Sequence, residues 1–161
     1  YSTITIGATL PYFSNGKLKI RKERYTFSGS TNEANPNKIV DYALFFISAP
    51  YLWGGRTLFG IDCSGFSQIV YSLCGYNIPR DAYQQAEEGI NVEFAELTEP
   101  GDLAFFDNEE GKITHVGIVT EPGHIIHASG KVRIDNLDQQ GIFNKDLGKY
   151  THKLRLIKRI F

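Results

Sequence analysis

Methionine is absent from the 161-residue sequence, and cysteine is represented only by Cys63 and Cys74. A chain without Met is not an intact translation product, so an upstream segment, and any targeting signal with it, is expected to have been removed. Two thiols exclude a disulfide-dense scaffold. If one helix carries both, a rise of about 1.5 Å per residue holds them roughly 16 Å apart, beyond the reach of a disulfide. Excess charge of either sign is also missing. With 17 basic against 18 acidic side chains, there is no basic excess to neutralise phosphates, and no nucleic-acid partner is expected. The longest uncharged apolar stretch, 42–55, has about 14 residues where a bilayer requires about 20, and Pro50, Gly54 and Gly55 interrupt it, so no membrane span is expected.

What is present reads as an ordinary globular chain, 42% hydrophobic and 22% charged, long enough for one domain and a fragment of another. Residues 1–31 read as short strands and turns. Ser2 to Ile6 alternates, Ser14-Asn15-Gly16 is a turn signal, and Leu18, Ile20, Tyr25 and Phe27 have strand composition. Thr31 to Asn35 reads as a linker, so the main domain is assigned to 32–161. Asn35 is a candidate N-cap with Pro36 in the first helical position, and Ile39, Val40, Ala43, Leu44 and Ile47 recur at helical spacing up to Pro50. Asp62 is expected to cap a second helix with Phe66, Ile69, Val70, Leu73 and Cys74 as its apolar stripe and Gly75 as its stop. Strands are expected at Leu103 to Phe106, Thr114 to Thr120, His124 to Ala128, Val132 to Ile134 and Leu154 to Ile160, the last with one solvated, basic face. Helices first and an antiparallel sheet afterwards predict an α+β fold.

Cys63 stands where the second helix begins. Unpaired amides and the positive end of the helix dipole favour a thiolate there, which predicts a lowered pKa and a nucleophile. Cys74, on the apolar stripe, has the pattern of a small buried hydrophobe. A cysteine nucleophile requires a base close in space. His115 and His127 lie on two strands joined by Glu121-Pro122-Gly123, so an antiparallel hairpin would let one orient the other. His124 and His152 read as ordinary turn and tail residues. A rival grouping of Cys63, His124 and His127 as zinc ligands is disfavoured, since His-x-x-His on a strand points to opposite faces and a structural zinc needs four ligands.

Asp62-Cys63-Ser64-Gly65-Phe66, Pro50-Tyr51-Leu52-Trp53-Gly54-Gly55, Pro100-Gly101-Asp102-Leu103, His115-Val116-Gly117-Ile118 and Ile126-His127-Ala128-Ser129 together resemble the NlpC-type cell-wall cysteine peptidases, in the order that family has them. The resemblance covers about Asn35 to Phe161. It implies a papain-like fold with N-terminal helices packed on an antiparallel sheet, and a triad of Cys63 as nucleophile, His115 as base and His127 as orienter. It further implies cleavage of peptidoglycan stem peptides between γ-linked D-Glu and a diamino acid, with no cofactor and no metal. Arg80-Asp81-Ala82 resembles the branch that takes stem peptides bearing a free N-terminal L-Ala. Asp62 and Asp81 are then candidates for holding the ammonium group, with Arg80, Ser64 and Tyr51 in the substrate and oxyanion set. Residues 1–31 resemble the end of a wall-binding β-barrel module, and the cell envelope is the expected location, with the cytoplasm as the alternative. Two rival functions are a thiol acyltransferase or amidase of the same fold, and a non-catalytic wall-binding module.

Overall fold

The computed structural model describes residues 3–31 and 35–161. An amino-terminal hairpin, β1 (Lys17–Ile20) and β2 (Glu23–Thr26), forms where strand composition was read. Thr3 to Ile6 is not a strand; Ser2, and Asn32 to Ala34 of the expected linker, lie outside the described residues.

Asn35 accepts a hydrogen bond from the Asn37 N–H through its side chain and starts a short 3₁₀ turn, Pro36–Lys38, that leads into α1 (Ile39–Leu44). The helix is shorter than its apolar spacing predicts. Its buried face is Ile39, Tyr42, Ala43 and Phe46, while Leu44 and Ile47 are exposed. The cause is tertiary: Ser48 adopts a left-handed conformation and donates its N–H to the Val132 carbonyl, and the Val132 N–H returns to Ala49, so the chain must leave the helix early. A two-stranded ribbon, β3 (Arg56–Thr57) and β4 (Gly60–Ile61), precedes α2 (Cys63–Leu73). Asp62 caps α2 by accepting from the Gly65 N–H at 2.7 Å, and Gly75 follows its end at positive φ, as expected. Phe66 and Val70 of α2 are fully buried, each contributing about 1.5–3 kcal/mol relative to exposure. Both cysteines are free.

A short α3 (Ala82–Gln85) leads to the sheet: β5 (Ile90–Val92), β6 (Leu103–Asp107), β7 (Ile113–Glu121), β8 (His124–Ser129), β9 (Lys131–Leu137), β10 (Gly141–Asn144) and β11 (Lys149–Arg159). The spatial order is β10-β9-β8-β7-β6-β11-β5, with antiparallel neighbours throughout. The α+β expectation therefore holds at the level of class, but the sheet is not open: β10 also pairs with β11 and closes β6 to β11 into a barrel. Closure depends on Gly141, where a Cβ would lie 1.8 Å from the His152 carbonyl oxygen.

Closure gives the strands two buried faces. Leu103, Phe105, Val116, Ile118, Ile126 and Ala128 face outward onto α1 and α2. Ala104, Phe106, Val119, Ile125, Leu137, Ile142 and Ile157 face inward and fill the barrel. Strands with both faces buried read as continuous apolar runs, which is why β6 to β8 were legible as strands. The tail does not have the single solvated face expected of it. A bulge between Leu154 and Leu156 of β11 sends the first toward the barrel interior and the second toward the helices.

Candidate active site

The loop before α2 is fixed at both ends. The Tyr51 N–H bonds to the Gly130 carbonyl at the β8–β9 turn, and Leu52 and Ile61 exchange backbone contacts with the same loop. This places Tyr51 and Trp53 beside the first turn of α2, and with Cys63, Asp81, Tyr83 and Thr114 they line a cleft of about 420 Å³. Cys63 is 7% exposed, at the floor of this cleft. Its Sγ lies 3.9 Å from the Thr114 carbonyl oxygen, and the Val116 N–H points to it, so the thiol rests against the backbone on either side of His115.

His115 and His127 meet as the hairpin predicts. His115 Nε2 is 2.9 Å from His127 Nδ1. The β7–β8 register pairs His127 with Gly117, and a Cβ at Gly117 would come within 2.9 Å of the His127 Cβ, so glycine is what lets the histidine strand approach. Three further residues of the site were not read from the sequence. His127 Nε2 is 3.0 Å from Asp135 Oδ2; Arg133 grips the same carboxylate through Nε (2.6 Å) and a terminal nitrogen (2.8 Å). His152, read as a tail residue, stacks on His115 with ring centroids 4.1 Å apart and planes inclined by 26°. Asp135 belongs to a strand whose inward alternation carries it, and His152 arrives on β11, which pairs with β6 beside the His115 strand; a spacing argument over a few residues has no access to either.

Protonation here is dominated by burial. Desolvation pushes the Cys63 thiol up, with Asp62 adding to it, against the amides of Val116, Ser64 and Cys63, which favour the thiolate. This corrects the lowered pKa read from the helix terminus: the cap carboxylate and the loss of water outweigh the dipole. Burial likewise carries His115 well below its ordinary value, with His127 and His152 next in importance. Both shifts favour the neutral forms, thiol on Cys63 and imidazole on His115. The Tyr51 hydroxyl is pushed up by burial first and by Cys63 next, and so stays a donor.

Burial lowers His152 to about 4, with His127 assisting. A folded-state value below the unfolded one near 6.5 contributes stability that is full above pH 6.5 and is lost as the pH falls toward 4. We expect denaturant unfolding to show a stability loss across that window of about 3 kcal/mol at most from His152, about half that after allowing for its partial exposure. His115 adds to it with the same sign. His152→Gln should flatten the slope; an unchanged slope would refute the assignment.

Each Asp62 oxygen already accepts twice: Oδ1 from the Gly65 N–H and Arg80, Oδ2 from the Gly54 N–H and Arg80 at 2.6 Å. Its four acceptor sites are engaged within the fold, while Asp62 still lines the cleft. Arg80 is committed to that bidentate pair and to Ser64 Oγ at 2.9 Å, so it braces the helix terminus. Asp81 is exposed on the cleft wall. The zinc grouping is not assembled: the His124 side chain turns to Glu121 at 3.5 Å. His115, His127 and His152 do place ring nitrogens within 4.8 Å of one another. The ring nitrogens of His115 and His127 face each other in a hydrogen bond, and His152 lies stacked over His115.

The NlpC/P60 family profile matches residues 48–151. The gamma-D-glutamyl-L-lysine dipeptidyl-peptidase of Bacillus subtilis (strain 168) is 43% identical over 101 residues, covering 62% of this chain and 34% of that protein. The protein of the same name from Bacillus cereus (strain ATCC 10987 / NRS 248) is 34% identical over 155 residues, covering 91% of this chain and 45% of its own length. The chain thus spans less than half the length of these two relatives. The crystal structure of the NlpC/p60 domain of the peptidoglycan hydrolase SagA is similar with a TM-score of 0.62 and 27% identity, covering 78% of this chain and 99% of that domain. A profile match over well more than half the sequence, with a cysteine at a helix start set against a histidine strand, leads to one conclusion: this chain belongs to the NlpC/P60 family.

Proposed function

We propose that the chain is a papain-like cysteine endopeptidase that hydrolyses the γ-D-glutamyl to diamino acid bond of peptidoglycan stem peptides carrying a free N-terminal L-Ala. The observation that carries this reading is the contact of Cys63 with the β7 backbone at Thr114 and Val116, on either side of a histidine whose Nε2 is engaged by His127. That engagement leaves Nδ1 of His115 to take the thiol proton. The Cys63 sulfur then attacks the γ-glutamyl carbonyl, and the oxyanion is held by the Cys63 N–H, with the Tyr51 hydroxyl as second donor. His115 returns its proton to the leaving amine, a thioester remains, and water activated by the same imidazole releases the acyl group and restores the thiol.

The names of the two Bacillus relatives support the bond and the dipeptide product. Asp81 supports recognition of the ammonium group, since it is the exposed carboxylate of the cleft. The β1–β2 hairpin is in keeping with residues 1–31 being the end of a wall-binding barrel, and action on wall peptides with the cell envelope as its location. An acyltransferase or amidase would use the same thioester and differ only in its acceptor. A pure wall-binding module has no use for a thiol set beside an oriented imidazole.

Incubation with synthetic L-Ala-γ-D-Glu-L-Lys and L-Ala-γ-D-Glu-diaminopimelate peptides, with mass analysis of products, tests the proposal. Release of L-Ala-γ-D-Glu and the free amine in water is expected. Transfer to an added amine in preference to water, or binding without turnover, would replace it with the corresponding rival.

A further inference from the structure

Beyond the thiol and its two histidines, the barrel end carries a charged chain that runs away from the cleft. We infer that Asp135, braced by Arg133 and Asp146, is a positioning residue that sets the tautomers of both His127 and His115, so that His115 presents a lone pair at Nδ1 to Cys63. This rests on the peptidase reading above for its purpose, but not for its test.

The register makes the arrangement specific. His127 of β8 lies directly opposite Arg133 of β9, and Asp135 is the next residue of β9 on that same face. Asp135 Oδ2 therefore reaches the far nitrogen of His127 diagonally across the pair, at 3.0 Å. The Asp135 side chain is 2% exposed, and its oxygens are divided between His127 and the Arg133 fork. Arg133 is itself tied to Asp146 at 2.8 Å, so the carboxylate cannot rotate away without breaking a bidentate pair.

Chemistry then gives the chain of bonds one direction. Burial opposes ionisation of Asp135, but the hydrogen bonds from His127 and Arg133 hold it at about 2, so it is a carboxylate and only accepts. His127 must carry its proton on Nε2. In the single-N–H form of His127 that this assignment uses, Nδ1 is a lone pair, and the group 2.9 Å away, His115 Nε2, is the donor. His115 is then left with its lone pair on Nδ1. The opposite assignment would put an N–H of His115 toward the thiol, and the site would have no base. Besides Asp135 and Arg133, the groups facing His127 are His115 from β7 and His152 from β11. Neither is a fixed acceptor at Nε2, so the direction is set from β9.

The test is the nitrogen state of the rings in the intact chain, labelled with ¹⁵N-histidine and observed by long-range ¹H–¹⁵N correlation near pH 8. The His124→Gln, His152→Gln, His115→Gln and His127→Gln proteins assign the signals. The wild type is expected to show His127 and His115 both protonated at Nε2 and bare at Nδ1. Asp135→Asn, of nearly the same shape, offers an amide N–H that can turn toward His127 Nε2; the Nδ1 protonated forms should then become populated. In that variant kcat should fall about tenfold to a hundredfold, as for other triads with a misdirected imidazole, with KM within about twofold. Arg133→Gln should act in the same direction by a few fold, and Asp135→Glu should recover part of the loss. A merely structural ion pair would lower the melting temperature of Asp135→Asn and leave the tautomers and kcat as they were, which would overturn the inference. A wild-type spectrum with His127 protonated at Nδ1 would overturn it directly, and that measurement stands even if Asp135→Asn fails to fold. Because the spectra need no substrate, a chain with the expected tautomers but no hydrolysis would refute the peptidase reading and leave this inference intact.

Discussion

Replacing Cys63 with alanine is expected to lower hydrolysis of a stem peptide by at least about 10⁴-fold, and His115→Ala to do nearly as much, because nucleophile and base act as one unit whose parts do not add. The thiols should also separate chemically. Cys74 is fully buried, and burial raises its thiol to about 11. Cys63 borders the cleft and has backbone N–H groups beside its sulfur. Iodoacetamide should therefore label Cys63 first by a wide margin, and labelling should stop hydrolysis. Since burial raises the Cys63 thiol and lowers His115, the labelling rate should climb with pH through the neutral range. A plateau already reached at acid pH would mean a preformed thiolate–imidazolium pair; equal labelling of both thiols, or turnover by Cys63→Ala, would end the mechanism.

Acetylating the N-terminal amine of the stem peptide should reduce kcat/KM by about tenfold to a hundredfold, the equivalent of losing one charge-assisted hydrogen bond of about 1.5–3 kcal/mol. On the proposed reading Asp81 is its partner, since the Asp62 oxygens already accept from the Arg80 fork and from two backbone N–H groups. Asp81→Asn should therefore erase most of the preference for the free amine while barely changing turnover of the acetylated peptide. Arg80→Gln is expected to slow both peptides alike, because it loosens the cap of the helix that holds Cys63. Equal cleavage of free and acetylated peptides by the wild type would remove the ammonium site and favour intact peptidoglycan as the substrate.

The elements read correctly from the sequence have local causes. The caps at Asn35 and Asp62, the stop at Gly75 and the turn before His124 depend on side chains and backbone freedom within about four residues. The buried strands β6 to β8 announce themselves by apolar runs. The end of α1 was misplaced because its last turn is decided by bonds to Val132, far along the chain. The short strands β5 and β10 carry no periodic pattern and exist because a long neighbour, β11, supplies their partners.

The site divides along the same line. The residue types at Cys63, His115 and His127, and the hairpin that joins the two histidines, were determined by the sequence alone, because strand alternation and a short turn fix which side chains can meet. The tertiary structure decided what those groups are worth. Pairing of β9 with β8 brought Asp135 behind His127, the return of β11 laid His152 on His115, and burial reversed the expected acidity of Cys63. The pairing of Arg80 with Asp62 engages the cap carboxylate and leaves Asp81 exposed on the cleft wall. Proton affinity and free hydrogen-bonding capacity depend on every group within a few ångströms, and most of those groups come from strands dozens of residues away, where no local pattern can announce them.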